Sequence, residues 1–179
     1  MNSLPDGYYE YLNLTFDFLS NGYFAANPTA HIFVCVRQDP ALVGKQIRGQ
    51  GIVLGNVSLA PGGTPFFPST QIETWCNGIY PGSYLLSAPG APPILEDGVI
   101  YTFQIFTHVT PDRSVQTIRY RVWQGSSMLY DSGNVTDPNQ YFDPAHSGAY
   151  AGHVFDTSTD PGWGFTIDNV FLSTTAPTV

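Results

Sequence analysis

The sequence predicts an all-β chain folded as a two-sheet antiparallel β-sandwich of the jelly-roll kind, and three observations carry that prediction. The stretch from Val99 to Val135 holds two long strand patterns and a shorter third in succession. No segment repeats its apolar residues with a helical period over ten residues or more. The 18 glycines and 15 prolines fall between short apolar runs, where they act as turn residues.

In the central stretch, Tyr101, Phe103, Ile105 and Val109 recur at even spacing, as a strand with one buried face requires. Thr110-Pro111-Asp112-Arg113 is turn chemistry: proline presets φ, and aspartate hydrogen-bonds its own backbone. Ile118, Tyr120 and Val122 then alternate with Arg119 and Arg121, and Gln124-Gly125-Ser126-Ser127 turns the chain into Met128-Leu129-Tyr130-Asp131.

From the N-terminus, residues 1–9 read as an arm, 10–174 as one sandwich domain and 175–179 as a tail. Leu12, Leu14, Phe16 and Phe18 alternate with Asn13, Thr15 and Asp17, the cleanest amphipathic strand in the chain. His31 to Gln38 is nearly all apolar, a strand buried on both faces or partly covered by a loop. Gln50 to Leu59 is one strand, or two broken at Gly55-Asn56. Ala60 to Ser69, with Pro61, Pro65 and Pro68, is expected to be a surface loop carrying Phe66 and Phe67, because proline removes ladder donors. Gln71 to Cys76 and Ser83 to Ser87 are short strands, Thr136 to His146 is a polar loop, and Ala149 to Phe155 is a strand. In the last strand, Gly164 to Ser173, the apolar phase moves from Phe165 and Ile167 to Val170 and Leu172, which predicts a β-bulge at Asp168-Asn169.

At 179 residues, 42% hydrophobic and 15% aromatic, the chain has the apolar surface for one β-rich domain. Only 11% of residues are charged, and the formal charge of −8 argues against nucleic acid, which demands clustered cations. Arg113, Arg119 and Arg121 form the one basic cluster and read as a solvated sheet face. No stretch approaches a membrane span, and the first thirty residues lack the Lys or Arg of an export signal. Cys35 and Cys76 are too few for a disulfide framework; they read as buried thiols, with a single bridge left open. The four histidines lie in separate elements without metal spacing, so no metal or cofactor is expected.

The Tyr-Thr-Phe-Gln-Ile strand, the Arg-Tyr-Arg-Val strand, Leu129-Tyr130-Asp131-Ser132, Gly152-His153-Val154-Phe155 and the closing Trp163-Gly164-Phe165-Thr166-Ile167-Asp168-Asn169-Val170 resemble the concanavalin-A-like (LamG-like) lectin/glucanase sandwiches. The resemblance covers Val99 to Ser173. It implies a lectin, a glycanase, or a non-enzymatic coat or adhesion module, since one fold hosts many functions. The glycanase branch carries clustered acids on one strand. This chain has only Glu10, Glu73 and Glu96, none with a second Glu nearby, so no catalytic residue is expected. Phe155-Asp156-Thr157 looks like part of a legume-lectin calcium loop, but the further acid is missing and calcium needs more oxygen ligands.

The leading expectation is a non-catalytic, glycan-recognising binding or adhesion module of a virion or extracellular surface, with Trp75, Trp123, Trp163 and Tyr141 as candidate sugar-stacking residues. A second is a structural phage virion protein, a capsid-decoration or tail- or head-fibre component. It is motivated by a chain beginning at Met1 without an export signal and by the lysine-poor surface. A glycoside hydrolase or lyase ranks last. With Lys45 the single lysine, edge strands lack the usual guards. Leu4, Tyr8, Tyr9, Phe66 and Phe67 look surplus to one core, which predicts a homo-oligomer, trimer or dimer, or docking on other virion or surface proteins.

Overall fold

A computed structural model describes residues 4–23, 31–38, 49–57, 67–75, 83–86, 91–137, 145, 147–154 and 164–175. Eleven strands are described: β1 (Tyr11–Asn21), β2 (His31–Gln38), β3 (Gly49–Val57), β4 (Phe67–Trp75), β5 (Ser83–Leu86), β6 (Ile100–Val109), β7 (Gln116–Gln124), β8 (Ser127–Asp131), β9 (Val135–Thr136), β10 (Gly148–Val154) and β11 (Gly164–Ser173). They form two antiparallel sheets. The larger runs β11-β1-β6-β7-β8, with the short β9 also on β7, and the smaller runs β10-β2-β3-β4-β5.

Alternation dictates which residues meet between the sheets. Leu12, Leu14, Phe16 and Phe18 of β1, Phe103 and Ile105 of β6, and Ile118, Tyr120 and Val122 of β7 are buried in one cluster with Ile32, Val34, Val36, Ile52 and Leu54 of the smaller sheet. Phe103 lies parallel to Phe16 at 5.3 Å and edge-on to Phe18 at 6.2 Å, geometries that aromatic quadrupoles favour. Residues 32–37 of β2 are all buried, so that strand is covered on both faces. Gly51 permits the close pairing of β2 and β3, since a Cβ there would sit 2.0 Å from the Val34 carbonyl oxygen.

The bulge predicted in the last strand is present. Thr15 pairs with Phe171 but Asp17 with Asp168, so β11 carries one extra residue, and Asn169 takes φ 50°. A second bulge was not foreseen. Gln38 pairs with Gly148 and Cys35 with Tyr150, leaving an extra residue on β2, where Arg37 adopts φ 62°.

Two sequence expectations are corrected. Phe67, Pro68 and Ser69 do not belong to a surface loop; they open β4 and pair with Val57, Asn56 and Gly55. Among the described residues β5 pairs only with Ile72 to Trp75, so Pro68 has a described partner strand on one side alone, the setting in which a strand tolerates proline. Thr136, read as the start of a loop, ends the two-residue β9. Phe66 lies outside the described residues, as do Cys76, Tyr141 and Trp163.

The arm packs on its own domain. Leu4 and Tyr9 rest against the core cluster, and the Tyr8 hydroxyl donates to the carbonyls of Val109 and Thr110 at 3.2 and 3.1 Å under the Arg113 guanidinium. Ser147 donates through its amide to Asp6 and through its hydroxyl to the Pro5 carbonyl. Leu4, Tyr8 and Tyr9 are therefore half-buried against their own chain.

Candidate functional site

The outward residues of the larger sheet fall into rows that cross the strands, because antiparallel register aligns them. Tyr11, His108 and Thr117 form one row, Asn13, Phe106 and Arg119 the next, then Thr15, Gln104 and Arg121, and last Asp17, Thr102 and Trp123. Between the first two rows lies an open-sided trough of about 210 Å³, lined by Tyr11, Leu12, Phe106, Thr107, His108, Thr117, Asn134 and Thr175. Leu12 and Thr107 are register partners whose side chains point into the core, so their backbone makes the floor.

The Tyr11 and His108 rings stand side by side as a cross-strand stack, 4.6 Å between centroids and 13° from parallel. Glu10 holds them from the arm end. Its carboxylate lies 3.3 Å from His108 Nε2, and its hydrogen bond to the Tyr11 phenol is the main cause that raises that phenol above its ordinary pKa. Its carbonyl accepts from Val109 N at 2.9 Å and from Arg37 Nη2 at 3.2 Å. On the opposite bank Phe106 is buried although it faces outward, because the Arg121 guanidinium sits 5.3 Å over its ring.

Of the three arginines expected on a solvated face, Arg113 is exposed, whereas Arg119 and Arg121 are engaged. Arg119 makes a fork to Asp131, Nε to Oδ1 at 2.7 Å and Nη2 to Oδ2 at 2.5 Å, while Arg121 Nε reaches Oδ2 at 3.0 Å. These side chains are a quarter exposed or less. The hydrogen bonds from Arg119 foremost hold the Asp131 carboxyl far below the usual carboxylate range, and Arg119 is correspondingly raised.

Of the predicted sugar-stacking residues, Trp123 is half-buried on this same face but six residues along β7 from Thr117, about 20 Å away at strand rise. Trp75 ends β4, paired with Gly49 and Ser83. Trp163 and Tyr141 fall outside the described residues. Trp123 therefore does not line the trough, whose walls come from outward positions of neighbouring strands. That signal was in the sequence: Tyr11, His108 and Thr117 are the polar or aromatic positions left over once the core phase is assigned. Among the described residues no group of three or more His, Cys, Asp or Glu is placed to hold a metal ion.

No protein-family model matches the chain, and no curated protein matches it.

Proposed function

We propose that this chain is a non-catalytic β-sandwich module that binds glycan at an extracellular or virion surface. The observation that carries the reading is the trough. Its hydroxyl, amide, phenol and imidazole groups, on a floor of sheet backbone and beside aromatic rings, suit a polyhydroxylated ligand, which offers hydroxyls to polar groups and C–H faces to rings. The chemistry available favours binding over hydrolysis. Glycoside hydrolysis uses two carboxyl groups flanking the bond, whereas among the described residues the trough has Glu10 alone beside it, and Asp131 is committed to two arginines.

The test is calorimetric titration of the full chain with a panel of neutral oligosaccharides, alongside an assay for released reducing ends. The expected result is saturable binding, weakened at least tenfold by His108→Ala, without turnover. Failure of every sugar to bind, or turnover that is lost in Glu73→Gln, would overturn the proposal.

A second reading, docking on a protein shell or on further copies of this chain, is favoured by one feature. Met128 and Leu129 on the edge strand β8 and Ile100 on β6 are 55%, 42% and 57% exposed, an apolar group at the end of the sheet remote from the trough. Sedimentation decides it: a monomer at all concentrations, with no binding to virion or surface proteins, removes this reading.

A further inference from the structure

The trough has a direction, and the direction bears on the ligand. Its outward lining residues come from successive strands. Thr175 follows the end of β11, Tyr11 opens β1, His108 lies in β6, Thr117 in β7, and Asn134 immediately precedes β9. Tyr11 pairs with His108 and His108 with Thr117, so these side chains lie on a line perpendicular to the strands. Ser173 pairs with Asn13, which brings Thr175 beside Tyr11; Thr136 pairs with Thr117 and Val135 with Ile118, so Asn134 falls by register opposite Arg119, in the adjoining row. Four strand spacings of about 4.8 Å carry the trough about 19 Å across the strands, with its Asn134 end set about 7 Å along them.

Spread over that length, 210 Å³ is a thin channel. Sites that enclose a compact ligand hold about 300–1,000 Å³ in one cleft. We infer that the ligand is an extended, linear, uncharged glycan that crosses the strands and is held along several consecutive internal units from Thr175 to Asn134, and not a single ring or a chain end. The inference rests on the glycan-binding reading above and specifies its ligand.

Two further features select this ligand class. An extended peptide gains its affinity by adding to a sheet edge through main-chain hydrogen bonds, but the trough crosses strands whose backbone groups already pair in the ladder. Only side chains are on offer, and they are hydroxyl, amide, phenol and imidazole groups set at intervals, matched to a chain bearing hydroxyls on every unit. An acidic polysaccharide would call for cations. Among the described residues no Lys or Arg lines the trough: Arg119 and Arg121 are bound to Asp131, Arg113 covers the Tyr8 ring, and Arg37 is buried against Thr107 and the Glu10 carbonyl.

The experiment is isothermal titration of the full chain with gluco-, manno- and xylo-oligosaccharides of increasing length, for wild type, Asn134→Ala, Thr175→Val and His108→Ala. For the series that binds, affinity is expected to rise with length and level off at about four units, the number that spans about 19 Å. Asn134→Ala and Thr175→Val, at opposite ends, are each expected to weaken the longest oligomer about three- to tenfold, the worth of one hydrogen bond, and to leave the disaccharide unaffected. His108→Ala, in the middle, is expected to weaken every length. Both end positions are exposed, so the fold is retained, as circular dichroism checks. A monosaccharide that binds as tightly as the longest oligomer, or end variants without effect while His108→Ala still acts, overturns the extended-chain inference and leaves the binding reading standing. If no sugar binds at all, the binding reading falls and this inference with it.

Discussion

Phe103→Ala tests the assignment of faces at its most loaded point. The ring is fully buried, stacked on Phe16 and edge-on to Phe18, both 1% exposed, and the same cluster includes Ile52 and Leu54 from the opposite sheet. Truncation removes the transfer energy of the ring and leaves a cavity walled by strands that are pinned on both sides, so the site has little freedom to collapse. Such substitutions cost about 3–5 kcal/mol, and the two lost aromatic pairs, at about 0.5–1.5 kcal/mol each, put this one near the top of that span. For a domain of this size a loss of about 4 kcal/mol lowers Tm by roughly 8–16 °C. The assay is equilibrium urea unfolding, read as a lower midpoint at unchanged m-value. Phe106→Ala is the control. It is one ring on the outer face, covered by a guanidinium, and is expected to cost about 1–2 kcal/mol. Equal losses for the two variants, or a cost below about 1 kcal/mol for Phe103→Ala, would refute the inward phase of β6 and with it the rows from which the trough is built.

Asp131→Ala strands two partly buried guanidinium groups and removes a bidentate fork, so it is expected to cost about 1–3 kcal/mol by chemical denaturation, with Arg119→Lys recovering little of the fork's geometry. Asp112 accepts from the hydroxyls of Thr110 and Ser114 and the amide of Ser114, and these bonds lower its pKa from 3.8 to about 2. A depressed carboxyl adds stability above its unfolded pKa and loses it as pH falls through the folded value. The stability gap between wild type and Asp112→Ala should therefore be full above pH about 4 and close between about 4 and 2, as paired melting curves would show. Deleting Met1 to Tyr9 removes the packing of Leu4 and Tyr9 and the Tyr8 hydrogen bonds, and is expected to lower stability by about 2–3 kcal/mol. An unchanged Tm would show that the docked arm contributes nothing.

What the sequence made legible was periodicity, and it failed where periodicity is silent. The alternation in Leu12 to Phe18 and Tyr101 to Val109 gave the correct buried faces, and the phase slip from Ile167 to Val170 located a bulge. In His31 to Gln38 the residues before Arg37 are almost all apolar, so there was no phase whose slip could be read, and the bulge at Arg37 left no trace. Pro68 misled because the rule against proline in strands holds for central positions, and only the length of β5 tells that Pro68 has a described partner strand on one side alone. The members of the trough were legible singly as outward positions, but their juxtaposition is set by register across five segments, a relation no linear pattern encodes, whereas tryptophan stands out as a residue type.

Arg37 shows how these features belong together. By strict alternation its side chain would leave the sheet with Phe33 and Cys35, yet the extra residue on β2 and the positive φ carry it to the other sheet, where Nε donates to Thr107 Oγ1 at 3.0 Å and Nη2 to the Glu10 carbonyl. Burial lowers its pKa to about 10, which still leaves it charged at neutral pH. A wholly buried guanidinium is a costly way to fill space, and among the described residues Nη1 has no hydrogen-bond partner. Its two contacts fall behind the trough: Thr107 supplies floor, and Glu10 carries on its other side the carboxylate that meets His108 and Tyr11. The smaller sheet, the arm and the row of Tyr11 and His108 are thus tied through one side chain, so a change on β2 reaches the trough without touching it. A non-glycine residue at positive φ marks that junction as a place where the backbone departs from its local preference and is held there by the packing around it.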